Sequence, residues 1–143
     1  IREIMTPNPV TVSPDDTIGQ AAQLMLNYMI GGLPVMDHNG RLVGIITDRD
    51  IVVRVVAEEK IVRETIVGDV MTTEVFTAKP EDFAFEAIRT MGDKQVRRIP
   101  IIDDTGILQG IVSMADVALE MEDEREIAET LEEISSGKSF WSK

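Results

Sequence analysis

The sequence contains one pattern twice, and this internal repeat constrains the fold more than any other feature of the chain. When Met5 is set over Met71, a shift of 66 residues, the chain aligns with itself without a gap from residue 5 to residue 51. Fourteen of the 47 aligned pairs are identical, and most of the others keep their polarity. An ungapped match of this length indicates two copies of one structural unit.

Each copy is predicted to fold in the order strand, helix, strand, strand, helix, which places the chain in the α/β (α+β) class. In the first copy Ser13 is predicted as the N-cap of the first helix and Pro14 as its first residue. Apolar residues at helical spacing follow, and Gly40 then supplies the turn of a hairpin. The predicted elements are strands at 10–13, 33–36 and 42–47 with helices at 14–29 and 47–59, and, in the second copy, strands near 75–78, 99–103 and 107–113 with helices near 80–93 and from 114.

Two such copies are expected to pack together, because a unit of about 60 residues is marginally stable alone. We predict repeats at 1–60 and 61–120, packed with pseudo-two-fold symmetry, followed by an acidic C-terminal helix and tail at 121–143. Clefts between packed units of this kind commonly bind small ligands. The apolar residues of the C-terminal helix share one face, which predicts packing on the body or on a second subunit; they are Ile127, Leu131 and Ile134. The role of the tail around Trp141 is left open.

Charge and composition argue against several classes of function. The chain carries 26 acidic and 14 basic residues, a formal charge of −12, so we expect neither nucleic acid nor an anionic membrane as partner. Cysteine is absent and His38 is the one histidine, which leaves little room for thiolate chemistry, zinc binding or histidine-based catalysis. No apolar run suits a transmembrane helix and no signal peptide is visible. We therefore expect a cytoplasmic protein that is not an enzyme.

A hydroxyl residue followed three positions later by aspartate ends the hairpin of each copy. One interpretation is a helix cap, with the hydroxyl at the N-cap and the carboxylate at the third helical position. The other is ligand binding, since a carboxylate placed here can accept hydrogen bonds from a ribose diol. The two motifs are Gly44-Ile45-Ile46-Thr47-Asp48-Arg49-Asp50 and Gly110-Ile111-Val112-Ser113-Met114-Ala115-Asp116.

The repeats resemble a pair of cystathionine β-synthase type (CBS) domains, which together form a Bateman module. The resemblance covers residues 1–120, is strongest to small stand-alone prokaryotic CBS-domain proteins, and depends on the Met-Thr pairs, the proline-containing strands and the two hydroxyl-to-aspartate motifs. It implies a regulatory, energy-sensing module that binds AMP, ADP, ATP or S-adenosylmethionine in clefts between the repeats, without catalysis. It implies no required cofactor, with Mg²⁺ accompanying the ligand if that ligand is ATP.

The resemblance also implies two ligand sites, each taking its hydroxyl and aspartate from one repeat and the segment around the proline from the other. The first would combine Pro7, Ile30 and Gly31 with Ile111, Ser113 and Asp116. The second would combine Thr73, Val96, Arg97 and Arg98 with Ile45, Thr47, Arg49 and Asp50. Arginine suits the second site to phosphate. The alternatives are that the arginine pair only solvates an edge strand, and that Val96 and Ile45 are plain core.

The resemblance further implies a homodimer and an effector protein of unknown identity. Apolar helix faces are predicted to form the dimer contact; they carry Ile51, Val52, Val55 and Val56 in the first copy and Val117, Ala118 and Met121 in the second. The rival class of function is a structural or protein-interaction module whose ligand clefts are vestigial.

Overall fold

The computed structural model describes residues 1–120 and 131–134, and within them the chain forms two compact units. The first, here called the N-terminal unit, holds Asn8–Val75 and Asp104–Leu108. The second, the C-terminal unit, holds Ile1–Pro7, Phe76–Asp103 and the chain from Gln109 onward. The predictions for Met121, Ile127 and Trp141 lie outside the described residues.

The N-terminal unit is built around an antiparallel hairpin of β2 (Gly32–Met36) and β3 (Leu42–Thr47), as predicted. Gly40 turns the chain with φ +81°, a conformation that a side chain disfavours. The other elements are the helices α1 (Ile18–Tyr28), α2 (Asp48–Ile51) and α3 (Val67–Val70), with a π-helix at Val52–Val56 directly after α2. The core consists of Val12, Ile18, Ala21, Leu33, Val35, Ile46, Val55, Val67 and Val70.

The C-terminal unit repeats this plan. Its elements are β1 (Thr6–Pro7), α4 (Ala84–Lys94), β4 (Arg98–Ile102), β5 (Leu108–Ser113) and α5 (Met114–Glu120), and residues 131–134 are also helical. The three strands form one sheet in the order β1-β5-β4. The core consists of Ile1, Ala87, Ile88, Met91, Ile99, Ile101, Val112, Met114 and Val117. The two units confirm the mixed helix-and-strand fold of two similar repeats.

Each Met-Thr pair joins the hairpin of the other sequence repeat. Thr72 pairs antiparallel with Ile45, with N···O distances of 2.9 and 2.8 Å between the two backbones. Thr6 pairs in the same way with Ile111 as part of β1. The spatial units are therefore not bounded as the sequence repeats are, because each unit takes the strand-like segment that begins the other repeat.

This exchange explains the glycine that opens each motif. A Cβ on Gly44 would lie 2.8 Å from both the Met71 sulfur and the Thr72 carbonyl oxygen. A Cβ on Gly110 would lie 2.7 Å from the Thr6 carbonyl oxygen. Real Cβ contacts are longer, so only glycine allows the Met-Thr segment to approach the hairpin this closely.

The first helix begins four residues later than predicted. Ser13 and Pro14 are not its start, because Ser13 lies in a local turn in which the Asp16 carboxylate accepts its backbone N–H at 2.9 Å. Thr17 is the N-cap of α1, and Gln20 completes its capping box. In the second copy Phe83 occupies the equivalent N-cap without a side-chain hydrogen bond.

Three other predictions need correction. The strands predicted at 10–13 and 75–78 are single bridges, at Val12 and Ala78, since each pairs with its neighbour at one residue only. The helix predicted to run to residue 59 is α-helical only to Ile51 and π-helical from there to Val56. In the predicted dimer face, Val55 and Val117 are fully buried in the cores of their own units and cannot reach a second subunit.

Candidate functional site

The Thr47–Asp50 motif forms a capping box at the start of α2. The Asp50 backbone N–H donates to Thr47 Oγ1 at 3.1 Å, and the Thr47 N–H donates to Asp50 Oδ2 at 3.0 Å. Two backbone donors at the helix start are satisfied in this way. The capping interpretation of the first motif is confirmed, and it leaves a ligand-binding role open because each carboxylate oxygen accepts more than one hydrogen bond.

Asp50 also ties the exchanged Met-Thr segment to the hairpin. The Thr72 hydroxyl donates to Asp50 Oδ1 at 3.1 Å, and the Arg54 Nε lies 3.9 Å from the same oxygen. Arg54 in turn donates to the carbonyl oxygens of Val70 and Met71, at 2.9 and 3.1 Å. Only 8% of Asp50 is exposed, so the spare acceptor capacity of its carboxylate is small. Thr72 was not found from the sequence, because no spacing rule links it to Asp50, 22 positions away. Arg54 was also missed, although it follows Asp50 by four positions, a spacing at which opposite charges on a helix meet.

The second motif has the same cap with fewer additional contacts. The Ser113 N–H donates to Asp116 Oδ2 at 2.9 Å, and the Asp116 N–H donates to Ser113 Oγ at 3.2 Å. Within the described chain, Thr6 makes no hydrogen bond to Asp116 corresponding to the one between Thr72 and Asp50. Asp116 is also more exposed than Asp50. Its carboxylate therefore keeps more capacity to accept hydrogen bonds from a ligand.

The C-terminal unit contains a cavity of about 420 Å³ beside this second motif, here called the arginine cavity. The Met114 N–H donates to the Arg97 carbonyl oxygen at 2.9 Å, which holds the start of β4 against the start of α5. Neither Arg97 nor Arg98 forms an ion pair with a carboxylate of the described residues. The cavity is lined by Arg97, Arg98, Ser113, Met114, Ala115, Ala118, Leu131 and Ile134.

The N-terminal unit has the same backbone arrangement without the arginines. The Asp48 N–H donates to the Gly31 carbonyl oxygen at 2.9 Å, as Met114 does to Arg97. Gly31 and Gly32 occupy the positions aligned with Arg97 and Arg98. The cationic character of the arginine cavity is therefore a difference between the two repeats and not a requirement of their shared fold.

Each unit holds residues from both of the ligand sites that the family resemblance implies. Ile30 and Val96 pack against the cores of their units, Pro7 pairs opposite Gly110, and Thr73 is exposed after the bridge to Ile45. The C-terminal unit holds Pro7, Val96, Arg97, Arg98, Ile111, Ser113 and Asp116. The N-terminal unit holds Ile30, Gly31, Ile45, Thr47, Arg49, Asp50 and Thr73. Their grouping into two ligand sites stays a prediction.

Residues 1–120 and 131–134 contain neither a metal-binding cluster nor a membrane-spanning helix. These residues contain no cluster of three or more acidic or histidine side chains that could hold a metal ion. No helix among them combines the length and the apolar character needed to cross a membrane.

The family model for the CBS domain matches the chain twice, at residues 1–57 and 67–123. The chain belongs to the CBS-domain family. The two matches follow the internal repeat, and each contains one hydroxyl-to-aspartate motif.

Curated relatives include enzymes and small CBS-domain proteins. Inosine-5'-monophosphate dehydrogenase of Methanocaldococcus jannaschii is 43% identical over 115 residues, which are 80% of this chain but only 22% of the enzyme. The chain therefore spans about a fifth of that relative. The CBS domain-containing protein YhcV of Bacillus subtilis is 38% identical over 119 residues, which are 83% of each protein.

Two similar solved structures contain bound nucleosides or nucleotides. CBSX2 in complex with AMP is 27% identical, with a TM-score of 0.74 over 83% of this chain and 93% of that chain. The CBS-domain pair of protein MJ0100, in complex with 5'-methylthioadenosine and S-adenosyl-L-methionine, is 28% identical, with a TM-score of 0.75 over 83% and 92%. All three ligands contain adenosine.

Proposed function

We propose that this chain is a regulatory module that binds an adenosine phosphate and does not catalyse a reaction. The observation that carries the proposal is the arginine cavity, whose lining in a chain of charge −12 includes Ser113 and two arginines without a described carboxylate partner. Its volume of about 420 Å³ falls within the range of small-molecule sites, roughly 300–1,000 Å³. The CBS-domain structures that hold AMP, 5'-methylthioadenosine and S-adenosylmethionine support the adenosine part of the ligand.

The arginines favour a phosphate ester over the other adenosine compounds. A planar guanidinium donates paired hydrogen bonds to phosphate oxygens. In S-adenosylmethionine a cationic sulfonium, which repels a guanidinium, stands where the phosphate ester is attached, and the carboxylate lies several bonds further from the ribose. The proposed contact residues are those implied by the family resemblance, with Arg97 and Arg98 holding the phosphate and Asp116 and Asp50 as candidate ribose acceptors. We further propose that an effector protein responds to the bound nucleotide, which makes the module a sensor of adenine nucleotide levels.

Thermal unfolding in the presence of a nucleotide panel tests this function. A ligand present at 100 times its Kd stabilises the folded state by about 2.7 kcal/mol. We expect AMP, ADP or ATP, the last with and without Mg²⁺, to raise the Tm by several degrees, and adenosine and S-adenosylmethionine to raise it less. No shift with any member of the panel would favour the alternative, a structural or protein-interaction module with vestigial ligand sites. Turnover of AMP or ATP by the pure protein would contradict the absence of catalysis.

A homodimer is part of the same proposal, and the exposed apolar residues support it. On the N-terminal unit Val52, Val53 and Val56 are 58, 46 and 60% exposed along the π-helix. On the C-terminal unit Leu119 of α5 is 85% exposed. Apolar patches of this kind on helices mark protein interfaces. These residues replace the buried Val55 and Val117 in the predicted dimer face.

Light scattering at micromolar concentration is expected to give twice the chain mass of 15.9 kDa. Val52→Glu with Val56→Glu is expected to give a monomer, because two carboxylates cannot be desolvated in an apolar interface without partners. Leu26→Glu is the matched control, since Leu26 is 70% exposed on α1, outside the proposed face, and its variant should remain a dimer. A wild-type mass of 15.9 kDa, or a double variant that stays dimeric, would contradict this interface.

A further inference from the structure

Two residues of the described segment 131–134 form part of the wall of the arginine cavity. Leu131 and Ile134 are three positions apart, which places both side chains on one face of the helical turn. Both line the cavity. Ile134 also packs against the core of the C-terminal unit, whereas Leu131 remains 47% exposed. A segment outside the repeated part of the sequence thus borders the candidate ligand site.

This wall gives the cavity two chemically different sides. Arg97, Arg98 and Ser113 supply positive charge and a hydroxyl. The remaining lining is apolar and consists of Met114, Ala115, Ala118, Leu131 and Ile134. A small inorganic anion uses only the first side, whereas a phosphate ester with a flat apolar group uses both. Small-molecule sites are commonly built in this way, with a few polar groups set in an apolar wall.

We propose that Leu131 and Ile134 contact the ligand and give the cavity its preference for the base-carrying phosphate ester over phosphate esters that lack a base. This inference rests on the proposed function, because it assigns the part of the ligand that the arginines do not hold. It also couples ligand binding to the C-terminal segment. A ligand that touches Leu131 stabilises the packing of residues 131–134, and their packing strengthens binding by the same factor.

The test compares AMP with ribose 5-phosphate, which is AMP without its base, by calorimetric titration of the full chain. Leu131→Ala is expected to weaken AMP binding about five- to tenfold, the loss that follows when one or two methylene-sized contacts disappear. The affinity for ribose 5-phosphate should stay unchanged. Leu131→Met retains apolar contact and should keep the wild-type affinity for AMP.

The control variant is Leu26→Ala, because Leu26 is an exposed leucine on α1 that belongs neither to the cavity nor to the proposed dimer face. It should change neither affinity. Ile134→Ala is harder to interpret, because Ile134 also packs against the core of the C-terminal unit. For this variant the free energy of unfolding must be measured together with the affinity for AMP.

The outcomes separate this inference from the proposed function. If wild-type protein binds AMP and loses it when Arg97 and Arg98 are replaced, but Leu131→Ala has no effect, the function stands and the assignment of the wall is wrong. Equal losses of affinity for AMP and ribose 5-phosphate in Leu131→Ala would also contradict the assignment of Leu131 as a contact of the base. Tighter AMP binding by this variant would contradict it as well, because the segment would then compete with the ligand. If the wild-type protein binds no AMP, the proposed function fails first.

Discussion

Replacing Arg97 and Arg98 with glycine is expected to lower the affinity for AMP and ATP by about a hundredfold and to leave adenosine almost unchanged. The first repeat carries glycine at both aligned positions, so we expect the fold of the second repeat to tolerate glycine there. Hydrogen bonds to a charged partner contribute about 1.5–3 kcal/mol each when they are shielded from water. An exposed ion pair contributes only about 0–1 kcal/mol. Calorimetric titration with ATP, AMP and adenosine measures the difference.

The loss should shrink as salt is raised, because the part of the arginine–phosphate attraction that acts through solvent is screened over about 8–10 Å at physiological ionic strength. Arg63→Gly removes the same charge from an exposed position that lines neither the arginine cavity nor the implied sites, and should leave the affinities unchanged. The double variant Arg97→Gln with Arg98→Gln removes both charges but keeps side chains at the start of β4. It should lose the same affinity for AMP and ATP if glycine has not weakened the strand. Equal losses for all ligands would mean that the arginines shape the cavity instead of binding phosphate. If no ligand loses affinity, the result would support the alternative that the two arginines are only solvent-exposed residues at the edge of the sheet.

The local parts of this fold were predictable because their signals lie within a few residues. The hairpin of β2 and β3 follows from two β-rich runs around Gly40, and the cap of α2 follows from Thr47 and Asp50 three positions apart. The start of α1 could not be predicted in this way, because Ser13 and Thr17 lie four residues apart and either side chain could cap the helix. The Asp16 carboxylate selects Thr17 as the cap, because it accepts a hydrogen bond from the Ser13 N–H and so holds Ser13 in a turn.

The long-range part of the candidate site could not be predicted from one sequence. Two similar repeats can each keep their own Met-Thr segment or exchange it, and the local signals are the same in both arrangements. The exchange places Thr72 on Asp50, and nothing in their spacing indicates that contact. In retrospect Gly44 and Gly110 carried a signal, because a glycine inside a strand often marks the close approach of another backbone. Leu131 at the arginine cavity had no such signal.

Asp50→Ala is expected to destabilise the protein by about 2–4 kcal/mol, and Asp116→Ala by about 1 kcal/mol. Both substitutions remove a helix cap, which costs about 1 kcal/mol. Only the first also leaves the part-buried Thr72 hydroxyl without its acceptor, at a cost of about 1–3 kcal/mol. The ion pair with Arg54 adds little to the stability, because the Arg54 side chain is 47% exposed and its Nε lies 3.9 Å from Asp50 Oδ1. Urea denaturation of the two variants measures the free energy of unfolding.

A double-mutant cycle between Asp50→Ala and Thr72→Val isolates the contact that distinguishes the two units. Val keeps the shape of Thr72 and its backbone pairing with Ile45 while removing the hydroxyl. We expect a coupling energy of about 1 kcal/mol, because contacting residues show coupling energies of about 0.5–3 kcal/mol whereas distant ones add independently. The corresponding cycle of Asp116→Ala with Thr6→Val should give no coupling. Equal destabilisation by the two aspartate variants would show that the hydrogen bond between Thr72 and Asp50 does not stabilise the N-terminal unit. In that case the exchanged Met-Thr segment would be held by its backbone pairing with Ile45 and by the hydrogen bonds that Arg54 donates. Asp116 would still be the more exposed carboxylate, with more capacity than Asp50 to accept hydrogen bonds from a ribose.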